Sequence, residues 1–228
     1  MSKLAAVLCL VCLISTVLWL GMMVADMSTA GPLETFEQVA AHASRLHGLF
    51  YATYLNVALL TVAAVALFAV LYAWLKPSAP GWIVIGLVFT PIYGVLNLVA
   101  YLSQVTLVPA LVTLRLDPQY TATADALLRL TLQAWPQSAM AFFNGLAYAL
   151  LGIPSMLYGA LLWRRSGALR WSGLLLALNG VACILGVMGI LTGSALLAQG
   201  AMVGGVLFLA ALFPLGWGVV EIGLEFVQ

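Results

Sequence analysis

Charge is what this sequence has least of. Of 228 residues, 7% are Asp, Glu, Lys or Arg, against 64% Ala, Val, Ile, Leu, Met, Phe, Trp, Tyr or Cys. Water-soluble domains run at about 25% charged and roughly 45–50% apolar, so an ordinary water-soluble fold is excluded. Eight Lys or Arg against seven Asp or Glu leave a formal charge of +1 with no basic patch, which excludes nucleic acid as a partner. Cysteine is scarce as well. Cys9 and Cys12 have C-x-x-C spacing but lie in an apolar run with no polar neighbour to activate their thiols, and Cys183 stands alone. Small apolar filler is the expected role, and neither a disulfide framework nor a zinc set can be assembled. Phosphate-binding loops, nucleophilic triads, paired catalytic carboxylates and dinucleotide loops are missing, which weakens an enzymatic reading and names no cofactor. No Asp, Glu, Lys or Arg falls near the middle of an apolar run, which disfavours a proton relay or an ion-coupled transporter.

What the chain does have is length of apolar run. Six stretches, residues 4–25, 47–75, 82–111, 137–163, 171–192 and 196–220, are long enough to cross a bilayer, since its hydrocarbon core of about 30 Å needs some 20 residues of helix. A transmembrane barrel would need segments of about ten residues with strict alternation, and none is present. The expected fold is therefore all-α: a polytopic bundle of six transmembrane helices, with residues 1–228 forming a single integral membrane domain.

Orientation follows from the cations. With a cytoplasmic N-terminus the inner loops carry Lys3, Lys76, Arg164, Arg165 and Arg170, and the outer ones Arg45, Arg115 and Arg129. The bias favours both termini in the cytoplasm and a location in the cell membrane, with a bacterial inner membrane suggested by the short loops. Trp74, Trp82, Trp163 and Trp171 flank the inner loops as interfacial anchors. The first stretch exceeds the apolar region of about 7–15 residues usual in a signal peptide and reads as an uncleaved anchor. Cleavage at Ser28-Thr29-Ala30 is the competing reading.

Two long outer loops each carry a short amphipathic, interfacial helix. In the first, Gly31-Pro32 is expected to start a helix with Leu33, Phe36, Ala40 and Ala43 on one face. In the second, after the turn at Asp117-Pro118, Ala124, Leu127, Leu128 and Leu132 share a face, Asp125 and Arg129 stand at i, i+4, and Pro136 closes the helix. Each surface helix with its two following spans hints at a duplicated unit, residues 31–111 and 118–192, without residue-level identity.

The most informative pattern is the placement of polar side chains inside the spans. The third span carries Thr90, Tyr93, Asn97, Tyr101 and Gln104 at steps of three and four residues, a continuous polar stripe. The second adds His47, Tyr51, Tyr54 and Thr61 on one face with Asn56 on another, and the fourth adds Asn144, Tyr148, Ser155 and Tyr158. Facing lipid would cost several kcal/mol per group, so these side chains turn inward. One reading makes them interhelical glue, worth about 0.6 kcal/mol per contact. The sharper reading makes them a cavity between the second, third and fourth spans, lined by His47, Tyr51, Tyr54, Tyr93, Asn97, Tyr101, Gln104, Asn144 and Tyr148. Tyrosine, with an apolar ring and a polar tip, suits an amphiphilic guest or lipid.

The last two spans read as packing scaffold, because Gly189/Gly193 and Gly200/Gly204 have the small-xxx-small spacing of a tight hairpin. His47 beside the stripe is expected to anchor or to bond a ligand. No metal site is expected there, since only His42, Glu34 and Glu37, on a different helical face, are at hand. Three functions follow. The chain binds or translocates an amphiphilic small molecule, or it is a non-catalytic subunit with a membrane-protein partner, or, least favoured, it is an enzyme acting on a lipid or isoprenoid with His47 as acid or base.

Overall fold

The computed structural model describes residues 2–225. Among the described residues there is no strand, and six helices are long and apolar enough to cross a membrane. The helices are α1 Ser2–Ala30, α2 Phe36–Ala43, α3 Gly48–Leu75, α4 Val84–Arg115, α5 Thr121–Thr131, α6 Ala139–Trp163, α7 Gly167–Thr192, α8 Ala195–Ala198 and α9 Gly200–Glu225. The six spans and the two short loop helices, α2 and α5, match the expected all-α bundle.

The boundaries differ in ways that matter below. Helix α1 runs a turn beyond residue 25 and carries Asp26 before ending at Ala30, where Gly31 takes a left-handed φ of 71°. Gly31-Pro32 therefore closes one helix rather than opening the next. Helix α2 starts instead at a capping box: the Thr35 side chain accepts from the Gln38 amide, and the Gln38 side chain accepts from the Thr35 amide. In α5 the Asp125–Arg129 pairing does not form. Asp125 meets Arg115 at 2.6 Å and Arg129 meets Glu37 at 3.1 Å, because each finds its partner on another element.

The chain divides into two compact units. One comprises the described parts of Met1–Ile14, Leu60–Val95 and Gly145–Gln228, and the other comprises Ser15–Leu59 and Leu96–Asn144.

In the first unit, close backbone approach replaces bulky packing. A Cβ on Gly152 would lie 2.7 Å from the Gly180 carbonyl oxygen, so α6 and α7 touch backbone to backbone. Helix α7 approaches α8 and α9 in the same way, with Gly189 against Ala198 of α8, and Gly186 and Gly200 of α9 against each other. The hairpin expected from those glycines is present. It also holds polar ties: Asn179 Nδ2 donates to the Gly204 carbonyl at 2.8 Å and Ser172 Oγ to the Ala211 carbonyl at 3.1 Å. Phe68 fills the space between the rings of Tyr158 and Phe208.

In the second unit, the apolar faces of α2 and α5 are met by protein. Phe36, Val39, Ala40 and Ala43 of α2 pack with Phe50 of α3, Val108 and Val112 of α4, and Leu128 and Leu132 at the end of α5. Trp135 stands edge-on to Phe36, and the Arg129 guanidinium lies over the Phe36 ring at 3.9 Å. A hydrogen bond from its own backbone amide, with Arg129 and Thr35 adding, holds the exposed Glu37 carboxyl below its usual range.

Candidate functional site

The nine side chains picked out by the sequence fall into both units. Tyr93 and Tyr148 belong to the first, where their rings meet at 6.2 Å and an interplanar angle of 48°. His47, Tyr51, Tyr54, Asn97, Tyr101, Gln104 and Asn144 belong to the second. A recess of about 260 Å³ in the first unit is lined by Leu75, Ser78, Ala79, Pro80, Leu161, Arg164 and Arg165, none of them among the nine.

Within the second unit Tyr51 and Tyr54 flank Phe50, and Tyr101 follows through Tyr54. The buried Phe50 ring meets Tyr51 at 5.7 Å and Tyr54 at 5.0 Å, both edge-on, and Tyr54 in turn meets Tyr101 at 6.4 Å. Tyr101 is buried with Val57 and Ala58, and Trp19, Tyr54 and Leu98 close around them. Asn97, one helical turn earlier on α4, is fully buried. Asn144 presents a buried Oδ1 that accepts no hydrogen bond from the protein.

Gln104 plays a different part. Its Nε2 donates to the Thr131 carbonyl at 2.8 Å, to Ser103 Oγ at 2.9 Å and to the Ala100 carbonyl at 3.1 Å. Its Oε1 accepts from the Gln133 amide at 3.1 Å. The carboxamide thus replaces the helical bonds that α5 loses at its end and fastens that end to α4. Asn56 is likewise engaged, donating to the Ser15 carbonyl at 2.8 Å. Both fit the glue reading.

The structure also assembles a group that the sequence left apart. Asp26 on the last turn of α1 lies 3.0 Å from His42 Nε2 through Oδ2 and 3.2 Å from His47 Nε2 through Oδ1. The two imidazoles stand 6.1 Å apart at 69°. What brings them together is the turn between α2 and α3, where Leu46 takes a φ of 41°, a left-handed conformation that costs about 1–2 kcal/mol for a residue with a Cβ. Arg45 in the same turn donates to the Thr29 carbonyl at 3.0 Å and so caps the end of α1. His47 Nδ1 accepts the Phe50 amide at 3.1 Å, so the proton of its neutral ring sits on Nε2; that nitrogen stands beside Asp26 Oδ1 without a hydrogen bond to it, and only His42 bonds the carboxylate.

Two imidazoles on one carboxylate can share a proton, bond a polar ligand head, or present three ligand atoms to a cation. Among the described residues this is a group of three such side chains whose donor atoms all lie within 4.8 Å of one another. His42 was expected on another face from His47. Two signals were in the sequence: an aspartate directly behind the first apolar run, and a second histidine five residues before His47. Neither carried the turn that joins them.

No protein-family model, no curated protein and no solved structure matches the chain. Six helices long and apolar enough to span a membrane make it an integral, multi-pass membrane protein.

Proposed function

We propose that this membrane protein binds or translocates an amphiphilic small molecule or lipid, held by tyrosine and asparagine side chains of α3, α4 and α6. The observation that carries the reading is the run of ring contacts from Tyr51 through Phe50 and Tyr54 to Tyr101, in the unit that also holds buried Asn97 and half-buried Asn144. The Asn144 Oδ1 supports it, because a buried carboxamide oxygen without a donor costs about 1–3 kcal/mol, which a ligand hydroxyl or a water offsets. Rings supply apolar wall and hydroxyls supply polar points, the complement of a molecule with a head and a tail. With the termini in the cytoplasm of the cell-membrane host, as the cation bias suggests, these groups serve the outer leaflet.

The test replaces Asn97 with Leu and Tyr101 with Phe together. Lipids and quinones retained by the purified, extensively washed chain are extracted and measured by mass spectrometry. The wild type is expected to retain about one amphiphile per chain, and the double variant, with an unchanged melting transition, to lose at least tenfold. Equal retention by two equally folded proteins overturns the reading.

A second reading, a non-catalytic subunit of a larger membrane assembly, is favoured by Gln104 and Asn56, whose polar groups are spent on packing. Isolation in mild detergent as a chain without partners would count against it.

A further inference from the structure

We propose that Asp26, His42 and His47 form a binding site for a divalent transition metal ion of the zinc or cobalt kind, with one coordination position left open. Two imidazole nitrogens and one carboxylate oxygen are a donor set such ions take, and three protein ligands with a free position is the arrangement that accepts an exchangeable fourth ligand. The spacing suits it. A tetrahedral ion with bonds of about 2.0–2.1 Å holds neighbouring donors roughly 3.3 Å apart, and here the carboxylate oxygens stand 3.0 Å and 3.2 Å from the two Nε2 atoms. The three donor atoms all lie within 4.8 Å of one another, so side-chain rotation would bring them onto one centre.

The protons can be accommodated. In the metal-free protein each neutral ring carries its proton on Nε2, with His42 bonding Asp26 Oδ2 and Asp26 Oδ1 left without a donor; on binding, each ring moves that proton to Nδ1, and no net proton is released. For His42 nothing is lost, because its buried Nδ1 makes no hydrogen bond. For His47 the ring must turn its new Nδ1 proton away from the Phe50 amide, which keeps the His47 carbonyl at 3.0 Å as its acceptor. The Asp26 and His47 side chains are 27% and 34% exposed, which leaves the open position reachable. Two ligands flank the Leu46 turn and the third lies on α1, so the ion would clamp the end of α1 to the α2–α3 connection.

The experiment uses the full chain without a histidine tag, stripped with chelator, in mild detergent. Zn²⁺ is titrated calorimetrically and Co²⁺ by visible absorption. One equivalent per chain and a four-coordinate cobalt spectrum are expected. Asp26→Asn and the pair His42→Gln with His47→Gln are each expected to weaken binding at least tenfold. His47→Cys, at the most exposed of the three positions, is expected to keep the site and add sulfur-to-cobalt absorption, which a purely structural tether would not produce. Absence of saturable binding by the wild type, binding unchanged in the double histidine variant, or no new absorption in a folded, metal-binding His47→Cys chain overturns the site.

Discussion

Gln104 shows how a polar side chain can be present in a membrane without being available to a ligand. It is fully buried, and its carboxamide meets the end of α5 from both sides. Replacing it with Leu keeps the volume and strands the Thr131 carbonyl and the Gln133 amide, each at about 1–3 kcal/mol. Gln104→Leu is therefore expected to lower unfolding stability by about 2–6 kcal/mol, read by thermal unfolding in detergent, with no change in any retained amphiphile. Spacing alone put Gln104 on the stripe with Asn97 and Tyr101. It could not tell a side chain spent on a helix end from one facing a guest, because the end of α5 is distant in sequence. The same limit applies to Asp26 and His42: both residues are plain in the sequence, and the left-handed Leu46 that brings His42 to Asp26 is not.

At the scale of elements, apolar length and small-residue spacing were legible because each is a property of one helix. Backbone contact follows directly where two glycine faces meet. Gly152→Val is expected to force α6 from α7, where only backbone faces the new side chain, and to cost at least the upper part of the usual overpacking range of about 1–3 kcal/mol. Gly205, with nothing within 4 Å of an added Cβ, is the control: Gly205→Ala is expected to be neutral or slightly stabilising in the same melt. Pairings between elements were less legible. Asp125 and Arg129 stand at i, i+4, yet each finds its partner elsewhere, in Arg115 and Glu37. Glu37, its carboxyl held below the usual range, contributes above the ordinary carboxylate pKa, and that contribution is lost as pH falls through its depressed value in the folded chain. Faster proteolysis around α5 is accordingly expected only in acid, below about pH 4, and Glu37→Gln is expected to show that rate at neutral pH.

For the whole molecule, composition decided the class before any residue was considered: a chain 64% apolar and 7% charged has its long helices in lipid. Orientation rests on the cation bias. Cysteine placed at the exposed Leu116 is expected to react with an impermeant maleimide in intact cells, and cysteine at Ser166 only after the membrane is opened. The account stands most directly on which face of α4 meets lipid. Val95, Val99 and Leu102 are 62%, 47% and 40% exposed, whereas Asn97 and Gln104 are 0% and Tyr101 is 5%. A membrane-soluble carbene reagent, with sites mapped by mass spectrometry, measures this in native membranes. Labelling of Val95, Val99 and Leu102 with Asn97, Tyr101 and Gln104 spared is the expected result; labelling of those three polar side chains as heavily as the valines would contradict it.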